Sequence, residues 1–326
     1  MSNFSIGEEA VCYNRDMKKD ILVSLIIPVY NEESNIEPLL SELVPRLKKY
    51  KYEIIFINDG STDKSVAQIK RHAKNGSIKL ISFNRNFGHQ MALDAGYETA
   101  RGDCVISMDA DLQDPPSVIP EMIEKWQDGA LVVYARRAKR DVDSAIKRGT
   151  ARFFYRFINF LSDTPIPQDV GDFRLLDRSV VDFINRMPEQ SRFLRGLVAW
   201  GNFPSDVVLF ERAKRNTGDT HYTMGKMVNF ALDGITSFST KPLQLSTYLG
   251  FATASIGFLG IIYAILGRLF LPEYWVTGWT ALFVGVMFLG GVQLITIGII
   301  GEYIGKIYRE VQRRPRYVIK ETVNLD

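Results

Sequence analysis

Residues 22–30 read LVSLIIPVY and residues 103–116 read DCVISMDADLQDPP. Each opens with a short, β-branched apolar run and stops at turn formers and carboxylates, which marks a buried strand ending at a loop. Three further runs repeat the pattern: YEIIFIND at 52–59, SIKLISF at 77–83 and ALVVYA at 130–135. Segments of helical character separate them. That alternation predicts βαβ units, hence an α/β fold with a Rossmann-like, mainly parallel sheet and helices on both faces. Ligands of such sheets sit beyond the carboxyl ends of the strands. The residues to inspect are therefore Pro28-Val29-Tyr30-Asn31-Glu32-Glu33, Asn58-Asp59-Gly60-Ser61-Thr62-Asp63 and Asp109-Ala110-Asp111-Leu112-Gln113-Asp114.

The chain has 326 residues, about two units at ~150 residues per domain. It is 46% hydrophobic and 24% charged, which excludes wholesale disorder. A net charge of +3 argues against a dedicated nucleic-acid binder. Cys12 and Cys104 are the two cysteines, too few for a disulfide scaffold or a Cys-rich zinc module. GxxxxGK[ST], GxGxxG and CxxC are all missing. His72, His89 and His221 are too scattered to argue for zinc, and His89 reads as a helix start after Arg85-Asn86-Phe87-Gly88.

The C-terminal third has a different character. Between Lys241 and Arg268 lie 26 uncharged residues, and between Glu273 and Glu302 lie 28. A membrane-spanning helix needs ~20 apolar residues, so two transmembrane helices are expected, at 245–267 and 277–300. The linker LPEYWVTGW clusters aromatics suited to an interface. Lys306, Arg309, Arg313, Arg314, Arg316 and Lys320 follow. The positive-inside rule puts them in the cytoplasm, and two spans put the N-terminal part there too. Arg268 lies on the far side but near a helix end, where it can snorkel to the headgroups. The spans hold no ionisable pathway residues, which argues against a channel or carrier.

The expected organisation is a flexible leader at 1–20, without the apolar core of a secretory signal, then a catalytic unit at 21–225. Residues 226–244 follow as an interfacial amphipathic helix, with Met227, Phe230, Ala231 and Gly234 on one face. The two-span unit covers 245–303 and a basic cytoplasmic tail covers 304–326. Gly301-x-x-x-Gly305 has helix-packing spacing, though ordinary small residues explain it as well. Two spans bury little surface by themselves, so a homo-oligomer is expected, multi-pass in the plasma membrane with both termini cytoplasmic.

Asp109 and Asp111 stand two residues apart, so on extended backbone their carboxylates point the same way. Paired oxygens at a strand end suit a hard divalent cation, Mg2+ or Mn2+, which commonly binds substrate phosphates as well; a solvated, capped turn accounts for the same pair. Between Arg136 and Arg156 stand eight basic residues against two acidic ones, leading into FFYRFINF. A basic, aromatic stretch reads as membrane-surface contact, and Arg forks suit phosphate oxygens. A solvated helix face has the same composition.

PVYNEE, NDGSTD, RNFGHQMALDAG and MDADLQDPP, in this order and at these spacings, resemble the motifs of family 2 glycosyltransferases of the GT-A fold. With the two spans, the chain looks like a polyprenyl-phosphate glycosyltransferase over residues 22 to 320. The resemblance implies an inverting, metal-dependent enzyme of cell-surface glycan assembly, such as lipopolysaccharide. It would move a hexose from a nucleotide-sugar, UDP-glucose by overall likeness, to undecaprenyl or another polyprenyl phosphate. Carried onto matching positions, it implies that Asp109, Asp111 and Gln113 hold the metal. It implies that Pro28, Tyr30, Glu32, Asp59 and Asp109 cradle the nucleotide-sugar, with Arg212 closing on its diphosphate. Arg136 and Arg148, with Arg152 in the same cluster, correspond to the acceptor-phosphate arginines. Asp111 and Asp172 take the catalytic roles, Asp172 as candidate base in a late acidic loop. A pairing of Asp172 with Arg174 or a neighbour is the structural alternative. The family often has two acids where this chain has Asn58-Asp59, which leaves position 58 open. A phosphate monoester is largely ionised at neutral pH, with a second pKa of ~6, so the acceptor needs positioning more than deprotonation.

Other donors, carrying aminoarabinose, GlcNAc or mannose, fit the same motifs. A processive polysaccharide synthase resembles the Asp motifs but carries Gln-x-x-Arg-Trp, and no Arg-Trp pair occurs here. A non-catalytic, membrane-anchored nucleotide-sugar binding protein has no need to keep Asp59, Asp109 and Asp111 together.

Overall fold

A computed structural model describes residues 20–138, 170–190, 192–211, 239–270 and 278–325. The expectations for Arg148, Arg152, Arg212, the leader up to residue 19 and the interfacial helix up to residue 238 lie outside these. In chain order the elements begin β1 (Leu22–Val29), α1 (Ile36–Leu47), β2 (Lys51–Asn58), α2 (Ser65–His72), β3 (Ile78–Phe83), α3 (His89–Thr99), β4 (Cys104–Ser107), α4 (Ile119–Gln127) and β5 (Val132–Arg137). They continue as β6 (Val170–Asp177), α5 (Arg178–Arg186), α6 (Leu194–Trp200), β7 (Ser205–Phe210), α7 (Lys241–Phe270), α8 (Trp279–Gln312) and β8 (Ile319–Val323).

The eight strands form one sheet in the order β7-β5-β6-β4-β1-β2-β3-β8. β1, β2, β3 and β4 are parallel, and β5 pairs parallel with β7. β6 runs antiparallel between β4 and β5, and β8 runs antiparallel along β3. The sheet is therefore mixed, an α/β fold of GT-A type in which six of the eight strands run the same way and β6 and β8 run against them. The central strands are buried on both sides, which is why they read as continuous apolar runs. Leu25 and Ile27 of β1 face one core with α1, α2 and α4, whereas Ile26 faces a second core with α3, α5 and α6. In α1, Ile36, Leu39, Leu40, Leu43 and Leu47 supply the buried stripe at helical spacing.

The C-terminal elements depart from expectation. Among the described residues one segment, Leu282–Gln312, is long and apolar enough to cross a membrane, and its apolar 18-residue stretch has a mean hydropathy of 2.2. The other uncharged run lies within α7, a helix of 30 residues. α8 has 34 residues, about 50 Å at 1.5 Å each, and so outruns a hydrocarbon core of ~30 Å. The expected boundary at 303/304 thus falls inside α8. Within the expected basic tail, residues 319–323 pair with the catalytic sheet as β8, with Ile81 opposite Thr322. Phe251, Phe258 and Tyr263 on α7 and Leu282, Val286 and Leu294 on α8 are exposed. Apolar surface on this scale needs a cover.

Candidate active site

The carboxyl ends of β1, β2, β3 and β4 open onto one edge of the sheet, where the loops carrying the motifs meet. The β1 and β2 loops are stitched together by local polar groups. The Thr62 N–H donates to Asn31 Oδ1 at 2.8 Å, and the Glu32 N–H donates to Ser65 Oγ at 3.0 Å. Asn58, the departure from the family pattern, is buried, donates to Ser82 Oγ at 2.6 Å and accepts from the Ser61 N–H. It shapes the turn. Pro28 is buried in β1 opposite Ile57, so its ring lies inside the sheet. Tyr30 is exposed at the strand end, and Glu32 Oε2 accepts from the Asn35 amide at 2.5 Å.

Asp59 has a defined task. Its carboxylate accepts the N–H groups of Phe87 at 2.6 Å and Gly88 at 2.9 Å, so it ties the loop after β3 to the end of β2. Burial pushes its pKa up, and those two hydrogen bonds oppose the rise. Gly60 beside it has φ +73°, and a Cβ there would lie 2.5 Å from the carbonyl carbon of Arg85, so only glycine lets the loop pass. In Asp59→Asn one amide N–H would confront a backbone donor inside the protein. The expected cost is about 2 kcal/mol of stability, read as a lower midpoint in thermal unfolding. An unchanged midpoint would contradict the loop-tying role.

After β4 the chain gathers acids. The carboxylate of Asp111 accepts the Gln113 N–H at 3.1 Å, and Leu112 between them has φ +60°, an unusual conformation for a side-chain-bearing residue. The turn sends Gln113 and Asp114 inward, both buried. Asp114 is pushed up to about 7 by burial and by the charges of Asp109 and Asp111. Asp109 is raised by burial and by Asp172 and Asp111, against His89. Gln113 Oε1 is buried with no hydrogen-bond partner. Mutually repelling carboxylates beside an orphaned amide oxygen form a hard-oxygen set that a divalent cation fits. Among the described residues no group of three or more His, Cys, Asp or Glu makes a ready cage. Mg2+ or Mn2+ needs only one or two protein carboxylates when substrate phosphates and water complete its shell.

β6, entering antiparallel beside β4, brings Asp172 to the same edge. Arg195 at the start of α6 grips this buried carboxylate through Nε at 2.9 Å and Nη2 at 2.8 Å. Arg174, 1% exposed, lies 3.7 Å away, and His89 Nε2 lies 3.3 Å from Asp172 and 3.7 Å from Asp109. Burial alone would raise Asp172. Hydrogen bonds from His89 and Arg195 and the nearby guanidinium charges overcome it and hold the carboxyl well below the usual range. His89 moves the other way: both acids raise it, against burial and Arg195.

The fold thus brings Asp109, Asp111, Gln113 and Asp172 together, with Asp59 joined to them through the loop that begins α3. Arg136 is exposed at the end of β5. Four residues go beyond the sequence reading: His89, Asp114, Arg174 and Arg195. His89 is the predicted helix start and also bridges two acids. Asp114 stood in the motif unassigned, and Arg174 stood as a candidate partner of Asp172. Arg195 carried no local signal, because its place depends on α6 folding back onto β6.

A mixed α/β sheet with acidic loops on its carboxyl edge defines a protein that binds its ligand at that edge. Residues 24–184 match the profile of glycosyl transferase family 2. The chain belongs to that family and is a glycosyltransferase enzyme. It is 47% identical to the SfII prophage-derived bactoprenol glucosyl transferase of Shigella flexneri, over 92% of this chain and 98% of that one. It is 45% identical to a prophage bactoprenol glucosyl transferase homolog of Escherichia coli K12, over 91% and 98%. An uncharacterized glycosyltransferase of Synechocystis is 45% identical over 94% and 97%. Among solved structures the chain is similar to glucosyl-3-phosphoglycerate synthase from Mycobacterium tuberculosis, with a TM-score of 0.45 and 18% identity over 66% and 78%. That likeness is too loose to inform the site.

Proposed function

We propose that this enzyme transfers glucose from UDP-glucose to a polyprenyl phosphate such as undecaprenyl phosphate, with inversion, at the cytoplasmic face of the plasma membrane. The observation that carries the reading is the Asp109–Asp111–Gln113–Asp114 cluster at the sheet edge, in a chain whose relatives are named bactoprenol glucosyl transferases. Asp109, Asp111 and Gln113 would hold Mg2+ or Mn2+, which supplies a Lewis acid for the departing diphosphate.

The chain's own residues position the rest. Tyr30, Glu32 and Asp59 line the β1–β2 side, where the nucleotide belongs, and Arg212 is assigned to the donor diphosphate. Arg136, with Arg148 and Arg152, is assigned to the acceptor phosphate, whose oxygen is already largely ionised at neutral pH. Asp172 is kept ionised by Arg195 and His89, which makes it a weak proton acceptor and a strong anchor. We assign it to orienting the acceptor side of the site.

The sheet itself supports a two-span topology. β8 follows α8 and pairs with β3 of the same sheet, so the chain that leaves after β7 must come back to the side it left. If α8 crosses the bilayer, a second crossing is needed, and we assign it to α7. The basic residues after α8 then set the cytoplasmic side. A homo-oligomer would cover apolar flanks of α7 and α8 that lipid leaves bare.

The test is a donor screen with the full-length chain in lipid nanodiscs containing undecaprenyl phosphate and Mg2+. The expected result is a lipid heavier by one hexose with UDP-glucose. Transfer confined to an aminoarabinose, GlcNAc or mannose donor would replace the sugar assignment, and no lipid product from any donor would refute the acceptor.

A further inference from the structure

We propose that the segment leaving α8 is a positioning strap that holds the Asp172 side of the active site in register, with Arg316 as its key residue. The inference rests on the transferase reading for what the site does, and on contacts outside that site for how the strap works.

Glu310, in the last turn of α8, accepts the backbone N–H of Gln190 at 2.8 Å. Six residues on, the Arg316 guanidinium pairs with Asp94 and Glu98, both on α3. The Tyr317 hydroxyl donates to Glu98, and its ring stacks on Phe83 with centroids 4.8 Å apart. Asp94 is also 3.0 Å from Arg192, and both side chains are 0% exposed. Two carboxylates and two guanidiniums thus balance their charges between α3, the strap and the loop before α6.

That loop leads straight to the site. The Leu194 N–H donates to Gln90 Oε1 at 3.3 Å, and the next residue is Arg195, which grips Asp172. Gln90 also donates to Asp172, at 3.4 Å, from the first turn of α3. Gln190 and Arg192 are therefore tied to the α8 and strap side, and Leu194 and Arg195 to the catalytic edge. α3 carries His89 and Gln90 at its head and Asp94 and Glu98 further along, so Arg316 holds both supports of Asp172 at once. Loss of Arg316 leaves Asp94 buried with one guanidinium, an arrangement that relaxes by movement of α3 or of the loop. Because α8 is an apolar helix that leads directly into the strap, a bilayer that fixes α8 also fixes the strap.

The test uses full-length Arg316→Ala, Arg316→Lys and Glu310→Gln in lipid nanodiscs. Arg316→Ala is expected to lower kcat by about 10- to 100-fold through misplacement of the site, with the KM for the nucleotide-sugar changed by less than twofold. Amides of Leu194, Arg195 and Gln90 should exchange faster with deuterium, while the β1, β2 and β4 amides keep their protection. Arg316→Lys should recover part of kcat, since an ammonium can meet Asp94 but lacks the fork that also reaches Glu98. Glu310→Gln should shift the same readouts by a smaller amount and decides the matter if Arg316→Ala does not fold. Wild-type kcat and loop exchange in Arg316→Ala or, failing that, in Glu310→Gln would overturn the strap. So would a loss of kcat accompanied by loss of protection throughout the sheet. A wild-type chain that transfers no sugar would refute the transferase reading, and the exchange measurement would still decide the strap.

Discussion

Asp111→Asn is expected to lower kcat by about a thousandfold, roughly 4 kcal/mol, while the protein unfolds at nearly its usual temperature. Asp111 is half-buried at the turn, and its carboxylate accepts the Gln113 N–H. An amide oxygen can accept the same bond, so the Leu112 turn survives the change. Removing the charge even eases the repulsion that raises Asp109 and Asp114. On the proposed reading, what would disappear is one of two anionic oxygen donors to the metal beside the departing diphosphate, where charge stabilisation is commonly the largest contribution to catalysis. Steady-state kinetics with added Mn2+ and thermal unfolding with and without EDTA measure both halves of this expectation. The wild-type midpoint should fall on chelation and that of the variant should not. A variant turning over at wild-type rate would remove Asp111 from the chemistry.

Asp172→Asn is expected to harm both folding and turnover. The carboxylate lies between Arg195, Arg174 and His89, and Arg174 is almost fully buried. Taking the anion away strands guanidinium charge inside the protein at about 3 kcal/mol, and it releases Arg195. A fall in kcat of about 100-fold should accompany the lower stability. The pH profile separates positioning from proton abstraction. A carboxyl with a depressed folded-state pKa contributes stability that is present at neutral pH and is lost only as pH falls below the usual carboxylate range. Asp172 should therefore add no limb to kcat between about pH 5 and 8. The acid limb should follow the acceptor phosphate, near its second pKa of ~6. A limb within that range that vanishes in Asp172→Asn would restore Asp172 as a base.

The strands that could be read from sequence are those buried on both faces. β1, β2, β3, β4 and β5 consist of apolar runs closed by turn residues. β6 escaped because Asp172 and Arg174 sit inside it, so the polar residues that elsewhere mark a surface are here in the core, neutralised by one another. β8, IKETV, is an exposed edge strand whose composition resembles any polar tail. It joins the sheet through backbone pairing and the Arg316 and Tyr317 contacts, and hydropathy registers neither. Hydropathy likewise found the apolar part of α8 and stopped near residue 300. The helix runs on to Gln312 because Glu302, Lys306, Arg309 and Glu310 continue a helix readily. In the site, Asp109, Asp111 and Gln113 were legible because all three sit in one loop. Arg195 was not, since it reaches Asp172 only when α6 packs against β6.

The central claim is that the carboxylates of Asp109 and Asp111 hold a divalent ion against the donor diphosphate. Its most direct test is the structure of the full-length chain in nanodiscs with Mn2+ and UDP. The expected result is a metal signal bonded to Asp111 and to a diphosphate oxygen, with Gln113 Oε1 turned toward it. Manganese bound elsewhere, with Asp109 and Asp111 facing bulk water beside a nucleotide seated normally, would contradict it.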